Sequence, residues 1–260
     1  MSHFPDCSIY HMPQRSDEWH EARKGILTAS ELGEWIMEEP KVRLTIAELK
    51  PLLDEAGIEY KKTAKRDELV ALLPNPEKYA TITRGAEDAR MSVIYTLLSR
   101  EGGYWEEETF ISQSMQRGID LEPIAAKAFE EETGNELTHV GFCKADSGHF
   151  GCSPDGLIMA TGEGLETKAP SGRVHWRYLD EGVLPEAYKM QVEMSMAVTG
   201  ASAWWFHSYL PKSPPFILKV ERTDYTERLL DNLRHFSEEL DSMRERFSAI
   251  YNEWKNKDHE

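Results

Sequence analysis

The sequence predicts an α/β fold, with a central mixed β-sheet flanked by helices and a small helical insert. Three observations carry that expectation. Apolar residues recur at helical spacing between residues 16 and 133; the pattern then breaks into short, turn-bounded segments of strand length; and a helix, two strands and a long helix complete the chain. At 260 residues the chain can bury the core of one medium domain with room for an insert.

Residues 16–39 read as two helices around a short break. SDEWHEAR begins on a polar cap, and in 28-TASELGEWIM-37 Ser30 stands as an N-cap with a glutamate behind it. The region 41–76 is set apart by prolines, splitting a main domain of 1–40 and 77–260. In 44-LTIAELKPLLDEAGI-58, Thr45 and Glu48 make a capping box ahead of apolar residues at helical spacing. An interior proline costs about 3 kcal/mol, so Pro51 is expected in the first turn rather than deeper. The basic loop 59-EYKKTAK-65 leads to a second short helix, 66-RDELVALL-73, closed by 74-PNP-76.

Helical patterns resume at 84–100 and 114–133, the second ending at Gly134. Segments 137-LTHVGFC-143, 156-GLIMA-160 and 164-GLETKA-169 then have the length and the turn boundaries of strands. A helix, 186-EAYKMQVEMSMAVT-199, precedes the aromatic strand 202-SAWWFHSYL-210, where Trp204 and Trp205 alternate so that one enters the core. Strand 216-FILKVER-222 and an amphipathic helix from Thr223 to Trp254 follow.

Composition narrows the function classes. Cys7, Cys143 and Cys152 form no C-x-x-C pair, which fits a reducing cytosol and supplies no disulfide framework and no zinc or iron–sulfur run. His139, His149, His175 and His207 lack metal-ligand spacing and read as structural or surface residues. No apolar run reaches the roughly 18 residues of a membrane span. MSHFPDCSIYHMPQR lacks the basic start and apolar core of a secretory signal, so a cytoplasmic protein without a membrane partner is expected. The net charge of −16 argues against a passive nucleic-acid binder, which needs a basic footprint. It argues less against a carboxylate-rich site that first gathers divalent cations.

The stretch 153-SPDGLIMATGEGLETKAP-170 carries the chemistry. Residues two apart in a strand share a face, so Glu166 and Lys168 project together with Thr167 turned away. Pro154 helps set the turn presenting Asp155, and a turn at 162-GEG-164 brings the strand of Asp155 alongside. Two carboxylates and a lysine then meet at one end of a hairpin. Two hard oxygen ligands can hold Mg²⁺, which acidifies water and neutralises a phosphate, while the lysine orients that water. The same spacing also fits a solvated hairpin with a cross-strand salt bridge, and these residues alone leave both readings open.

Further tracts add context. The strings 151-GCSPDGLI-158 and 165-LETKAP-170 resemble the PD-(D/E)xK nuclease core. With 19-WHEARKGILTAS-30, 118-GIDLEPIAAKAFE-130 and 187-AYKMQVEMSMAVT-199, the chain resembles the phage lambda exonuclease (YqaJ-like) family. The tracts fit W-x3-R-x-G-x2-TAS, G-x3-E and AY-x2-Q-x3-SM-x-VT, in the family's order, and cover most of the chain outside 41–76.

The resemblance implies a restriction-endonuclease-like core acting as a 5′→3′ exonuclease on double-stranded DNA ends, leaving single-stranded 3′ tails for recombination. It implies a catalytic set of Asp155, Glu166, Lys168 and Glu122. The metal ligands would be Asp155, Glu166, Glu122 and the Thr167 carbonyl, holding two Mg²⁺ ions that Mn²⁺ can replace. Arg23, Ser30, Ser153 and Gln191 would form a pocket for a terminal 5′-phosphate, for which a guanidinium fork and neutral donors are suited. Ser30 at a helix start would add backbone N–H groups. Met115 falls where the family places an apolar wedge between bases, although a buried helical methionine fits equally.

A homotrimeric ring, a single-strand annealing recombinase as partner, and a bacterial or phage-infected cytoplasm are also implied. The insert resembles SAP-like or helix–extended-loop–helix modules, whose Lys61, Lys62, Lys65 and Arg66 meet phosphates or simply stand in solvent. An endonuclease on the same core, or a catalytically decayed DNA-binding protein, are the alternatives. The phosphate-pocket residues speak against the first, and the intact Asp155, Glu166 and Lys168 against the second.

Overall fold

The computed structural model describes residues 4–37, 44–79, 86–103 and 112–257. The expected start of the insert at 41, the helix start at 84 and the helix end at 39 lie outside them. The chain opens with β1 (Cys7–Tyr10), α1 (Asp17–Ala22), β2 (Leu27–Thr28) and a 3-10 turn (Glu34–Met37). Next come α2 (Ile46–Glu55), α3 (Arg66–Val70), a second 3-10 turn (Pro76–Lys78), α4 (Ala86–Glu101) and α5 (Gln113–Thr133). Strands β3 (Phe142–Ala145), β4 (Phe150–Cys152), β5 (Gly156–Ile158) and β6 (Glu163–Lys168) are followed by α6 (Gly172–Glu181) and α7 (Glu186–Thr199). The last elements are β7 (Ala203–Ser208), β8 (Phe216–Glu221) and α8 (Asp224–Lys257). Two compact units result: Met1–Gly33 with Ile94–Glu260, and Glu34–Val93.

In the larger unit, the strands among the described residues form two four-stranded mixed sheets, ordered β1-β3-β4-β2 and β5-β6-β7-β8. The pairs β2–β4 and β6–β7 are parallel and the others antiparallel. Helix α7 packs on β3, β4, β6 and β7 and against α8, which explains the unbroken burial of Val192–Thr199. On the other side Phe129 and Ala126 of α5 meet Leu137, Ile158 and Leu165. Trp204 is fully buried and Trp205 only partly, as the alternation requires. Trp205 donates its Nε1–H to Glu163 at 2.7 Å.

Several local readings give way to sheet pairing. No helix starts at Ser30. The Leu27 N–H donates to the His149 carbonyl at 2.9 Å and the Ala29 N–H to Gly151 at 3.1 Å, so the TAS tract lies along β4. Ladder bonds satisfy the backbone that a helix would have used. The strand expected at 137–143 forms later, at β3, because its partner β1 pairs Tyr10 with Phe142 and Cys7 with Ala145. Thr138 keeps only a bridge to Leu157. The hairpin turn falls at 159–162, ahead of the expected 162–164, with Gly162 at φ +72° donating to the Ile158 carbonyl at 2.9 Å. Gly164, already in the strand, lies under Trp204: a Cβ there would stand 2.2 Å from the indole.

The smaller unit is built on Leu49, Leu53, Leu69, Val70 and Leu73. Glu48 accepts from the Thr45 N–H at 2.8 Å and from its hydroxyl at 2.7 Å, the expected cap. Pro51 sits in the second turn of α2 rather than the first, and its ring is exposed. Burial of Leu49 and Leu53 on either side holds the helix around it. Helix α3 stops at Val70, three residues early. Arg66 departs most from expectation. Its Nε donates to the Leu44 carbonyl and its Nη2 to the Tyr79 carbonyl, both at 2.8 Å, so the guanidinium ties the two ends of this unit together instead of facing solvent.

Candidate active site

The β5–β6 hairpin sets the position of the site. Its register pairs Gly156 with Leu165 and Leu157 with Gly164. The strand direction carries one step further: the Asp155 N–H donates to the Leu165 carbonyl at 3.1 Å, and the Thr167 N–H donates to Asp155 Oδ2 at 2.5 Å. Asp155 therefore stands beside Glu166, which is 2% exposed. Lys168 Nζ pairs with Glu166 Oε1 and lies 5.1 Å from the centre of the Tyr188 ring. Pairing of Glu166 with Phe206 and of Lys168 with Ser208 anchors this end of the hairpin in the sheet.

The electrostatics are those of crowded carboxylates. Burial first, and then the charge of Glu166, push the Asp155 carboxyl well above the usual range; Lys168 and the Thr167 N–H oppose the rise, and Glu122 adds to it. Burial works to lower the Lys168 ammonium, but Glu166 and Asp155 outweigh it and hold the lysine charged. Glu122, on α5, forms an ion pair with Arg15 at 3.1 Å. Among the described residues, no three His, Cys, Asp or Glu side chains are grouped closely enough to hold one metal ion. The donors nevertheless suit a hard cation: oxygen ligands on one hairpin, with a repulsion that a divalent ion would relieve.

A second set of contacts gathers most of the expected phosphate pocket. Trp19 donates its Nε1–H to Ser153 Oγ at 2.9 Å and to the Gly141 carbonyl at 3.0 Å. The Arg23 guanidinium stacks 3.8 Å above the Trp19 ring and donates to Thr28 Oγ1 at 3.2 Å. Thr28 Oγ1 is 3.3 Å from Ser30 Oγ and donates to Glu31 at 2.7 Å, and Glu31 pairs with Arg100. Arg23, Ser30 and Ser153 are thus joined through Trp19 and Thr28, two residues that stood in the sequence tract without an assigned role. Gln191 is half-buried on α7, and its side chain enters none of these hydrogen bonds.

Two neighbours carried no sequence signal. Gln14 donates its amide to the Pro154 carbonyl at 2.9 Å and to Val140 at 3.4 Å, fastening the chain before α1 to the loop that presents Asp155. Arg15 follows at φ +69°. Met115 is 54% exposed in the first turn of α5 and is not a core residue. In the smaller unit Lys61, Lys62 and Lys65 are exposed. His175 and His207 are buried, His149 contacts Asp241, and the His139 ring lies 3.1 Å from the Asp155 carbonyl.

Comparison with known proteins gives one family match and a set of similar folds. The profile of the YqaJ-like viral recombinase domain matches residues 18–202. Among curated proteins nothing matches significantly. Two solved structures resemble the chain over 92% of its length and 100% of theirs, each at 24% identity. They are LHK-Exo in complex with dAMP, with a TM-score of 0.64, and an alkaline exonuclease (LHK-Exo) from Laribacter hongkongensis, with a TM-score of 0.63. At that identity the likeness shows the fold, a restriction-endonuclease-like one.

Proposed function

The chain belongs to the family of the YqaJ-like viral recombinase domain, and on that premise we propose that it is a divalent-metal-dependent exonuclease acting on double-stranded DNA ends. Its products are 5′-mononucleotides and single-stranded 3′ tails for recombination. The observation that carries this reading is the convergence of Asp155, Glu166 and Lys168 at one end of the β5–β6 hairpin. One of the similar structures holds dAMP, the class of product that 5′→3′ hydrolysis releases.

Asp155, Glu166 and the Thr167 carbonyl would hold the cation, joined by Glu122. A bound Mg²⁺ or Mn²⁺ supplies Lewis acidity toward the phosphate and acidifies water. Lys168, kept protonated by its two carboxylate neighbours, orients the attacking water and contributes positive charge beside the scissile phosphate. Burial of Glu166 keeps bulk water from screening these charges. Arg23, Ser30, Ser153 and Gln191 receive the terminal 5′-phosphate. Stacking on Trp19 fixes the plane of the Arg23 fork before the phosphate arrives, so less side-chain freedom is lost on binding. Assembly as a homotrimeric ring, cooperation with an annealing recombinase and action in a bacterial cytoplasm belong to the same proposal.

The test uses linear duplexes with and without a 5′-phosphate, beside closed circular DNA. The wild type digests phosphorylated linear DNA fastest and spares the circle. Arg23→Ala slows phosphorylated ends by on the order of tenfold to a hundredfold, the worth of one charge-assisted hydrogen bond, and barely affects hydroxyl ends. Cutting of circles would make the protein an endonuclease. Equal slowing on both kinds of end would make Arg23 structural.

A further inference from the structure

Each carboxylate expected to hold the cation has a different partner in the protein by itself. Glu166 has Lys168, and Asp155 has the Thr167 N–H. Glu122 has Arg15, brought in from 107 residues away. That last pair is assembled with some care. Gln14 clamps the preceding residue to the Pro154 and Val140 carbonyls, on the loop that carries Asp155. Arg15 then adopts φ +69°, a left-handed conformation that residues with a Cβ seldom take and that persists where its surroundings enforce it. The contact is a single Nη2···Oε2 approach of 3.1 Å with both side chains partly open to solvent, 48% and 31% exposed. Such a contact can be given up cheaply.

We propose that Arg15 is a positioning residue that stands in for the divalent cation at Glu122. It holds the carboxylate beside the hairpin in the metal-free protein and must release it when the cation loads. This rests on the metal-dependent reading above. Because Arg15 and the cation compete for one carboxylate, Arg15 weakens cation affinity while keeping Glu122 from wandering into solvent. A purely structural arginine has the opposite sign: its loss loosens the site and weakens the cation.

The experiment is Mn²⁺ binding without DNA, read from the electron paramagnetic resonance signal of free Mn²⁺. The wild type binds Mn²⁺, and Asp155→Ala loses that binding. Arg15→Gln binds Mn²⁺ about three- to fivefold more tightly, the scale of one partly exposed ion pair. Arg15→Lys restores wild-type affinity, because a single-point contact needs the charge and not the fork. In a Glu122→Gln background the gain from Arg15→Gln falls away, since nothing remains to contest. Unchanged or weaker binding by Arg15→Gln, or an equal gain in both backgrounds, overturns the role of Arg15 and leaves the metal reading standing. No Mn²⁺ binding by the wild type overturns both.

Discussion

At the scale of single residues, the burial of ionisable groups decides which side chains can do chemistry. Asp155 and Glu166 repel each other in a partly dry site, so removing either takes away a proposed cation ligand and also unbalances Lys168. Asp155→Ala and Glu166→Ala should each abolish hydrolysis with Mg²⁺ and with Mn²⁺, while Lys168→Ala loses rate and keeps duplex binding. Gel assays of digestion and of DNA binding, run on the same variants, separate the two effects; near-normal digestion by Asp155→Ala would dismiss the hairpin as the active site. His207 shows the same physics in the core. Both its ring nitrogens are buried without hydrogen-bond partners, Phe129 lies 5.8 Å away, and burial, with His175 nearby, lowers its pKa from 6.5 to about 4. A depressed histidine binds its proton more readily in the unfolded chain. Its contribution is therefore complete above pH 6.5 and is lost as the pH falls toward 4. At roughly 1.4 kcal/mol per pH unit, the loss reaches at most about 3 kcal/mol. Urea denaturation at pH 7 and pH 4.5 should show a smaller acid loss in His207→Leu than in the wild type.

At the scale of elements, the hairpin keeps its geometry because β6 is held tightly on both sides. Gly164 pairs with Leu157 on one side and with Trp204 on the other, and it leaves room for the indole above it. Gly164→Ala would put a methyl group 2.2 Å from a fully buried ring that has nowhere to move. The expected cost is about 1–3 kcal/mol or more, read by urea denaturation, with activity falling in step because Glu166 lies two residues along the same strand. A fully stable Gly164→Ala protein would mean that the β6–β7 packing is softer than its burial implies. Helix α6 shows how a short amphipathic element can pass unread: its inward His175 bonds Ser208 Oγ at 2.8 Å and the Pro214 carbonyl at 3.0 Å, polar contacts that no apolar period announces.

At the scale of the whole molecule, net charge and unit organisation set the terms for binding DNA. A chain of net charge −16 must meet a polyanion through local cation clusters or bound metal. The Glu34–Val93 unit has its own core and cap, and Arg66 closes it by joining Leu44 to Tyr79. Replacing residues 44–79 with a Gly/Ser linker should leave a folded, active nuclease, checked by circular dichroism and digestion of linear duplex. The DNA contacts proposed for this unit narrow to the exposed Lys61, Lys62 and Lys65, since Arg66 is spent on carbonyls. Neutralising the three should flatten the dependence of log affinity on log salt, because each phosphate contact releases condensed counterion. An unchanged slope would assign the unit to a protein contact instead.

Much of this protein was legible in the sequence because its signals are local. The Thr45–Glu48 cap, the end of α5 at Gly134, the alternation of Trp204 and Trp205, and the D-x10-E-x-K spacing each lie within one element or one hairpin. The family tracts 19–30, 118–130, 151–170 and 187–199 likewise carried the fold and most of the residues proposed for the site. Tertiary structure alone decided the rest. Strands as short as Leu27–Thr28 and Phe150–Cys152 have no period of their own and exist only because a partner strand satisfies their backbone, which is why Ser30 caps no helix. Arg66 reads as a free cation until the fold brings two carbonyls to it. Arg15 and Glu122, 107 residues apart, meet only when Gln14 fastens its loop beside Asp155. Composition and spacing record what neighbours along the chain can do, whereas pairing between distant charges depends on where packing leaves them.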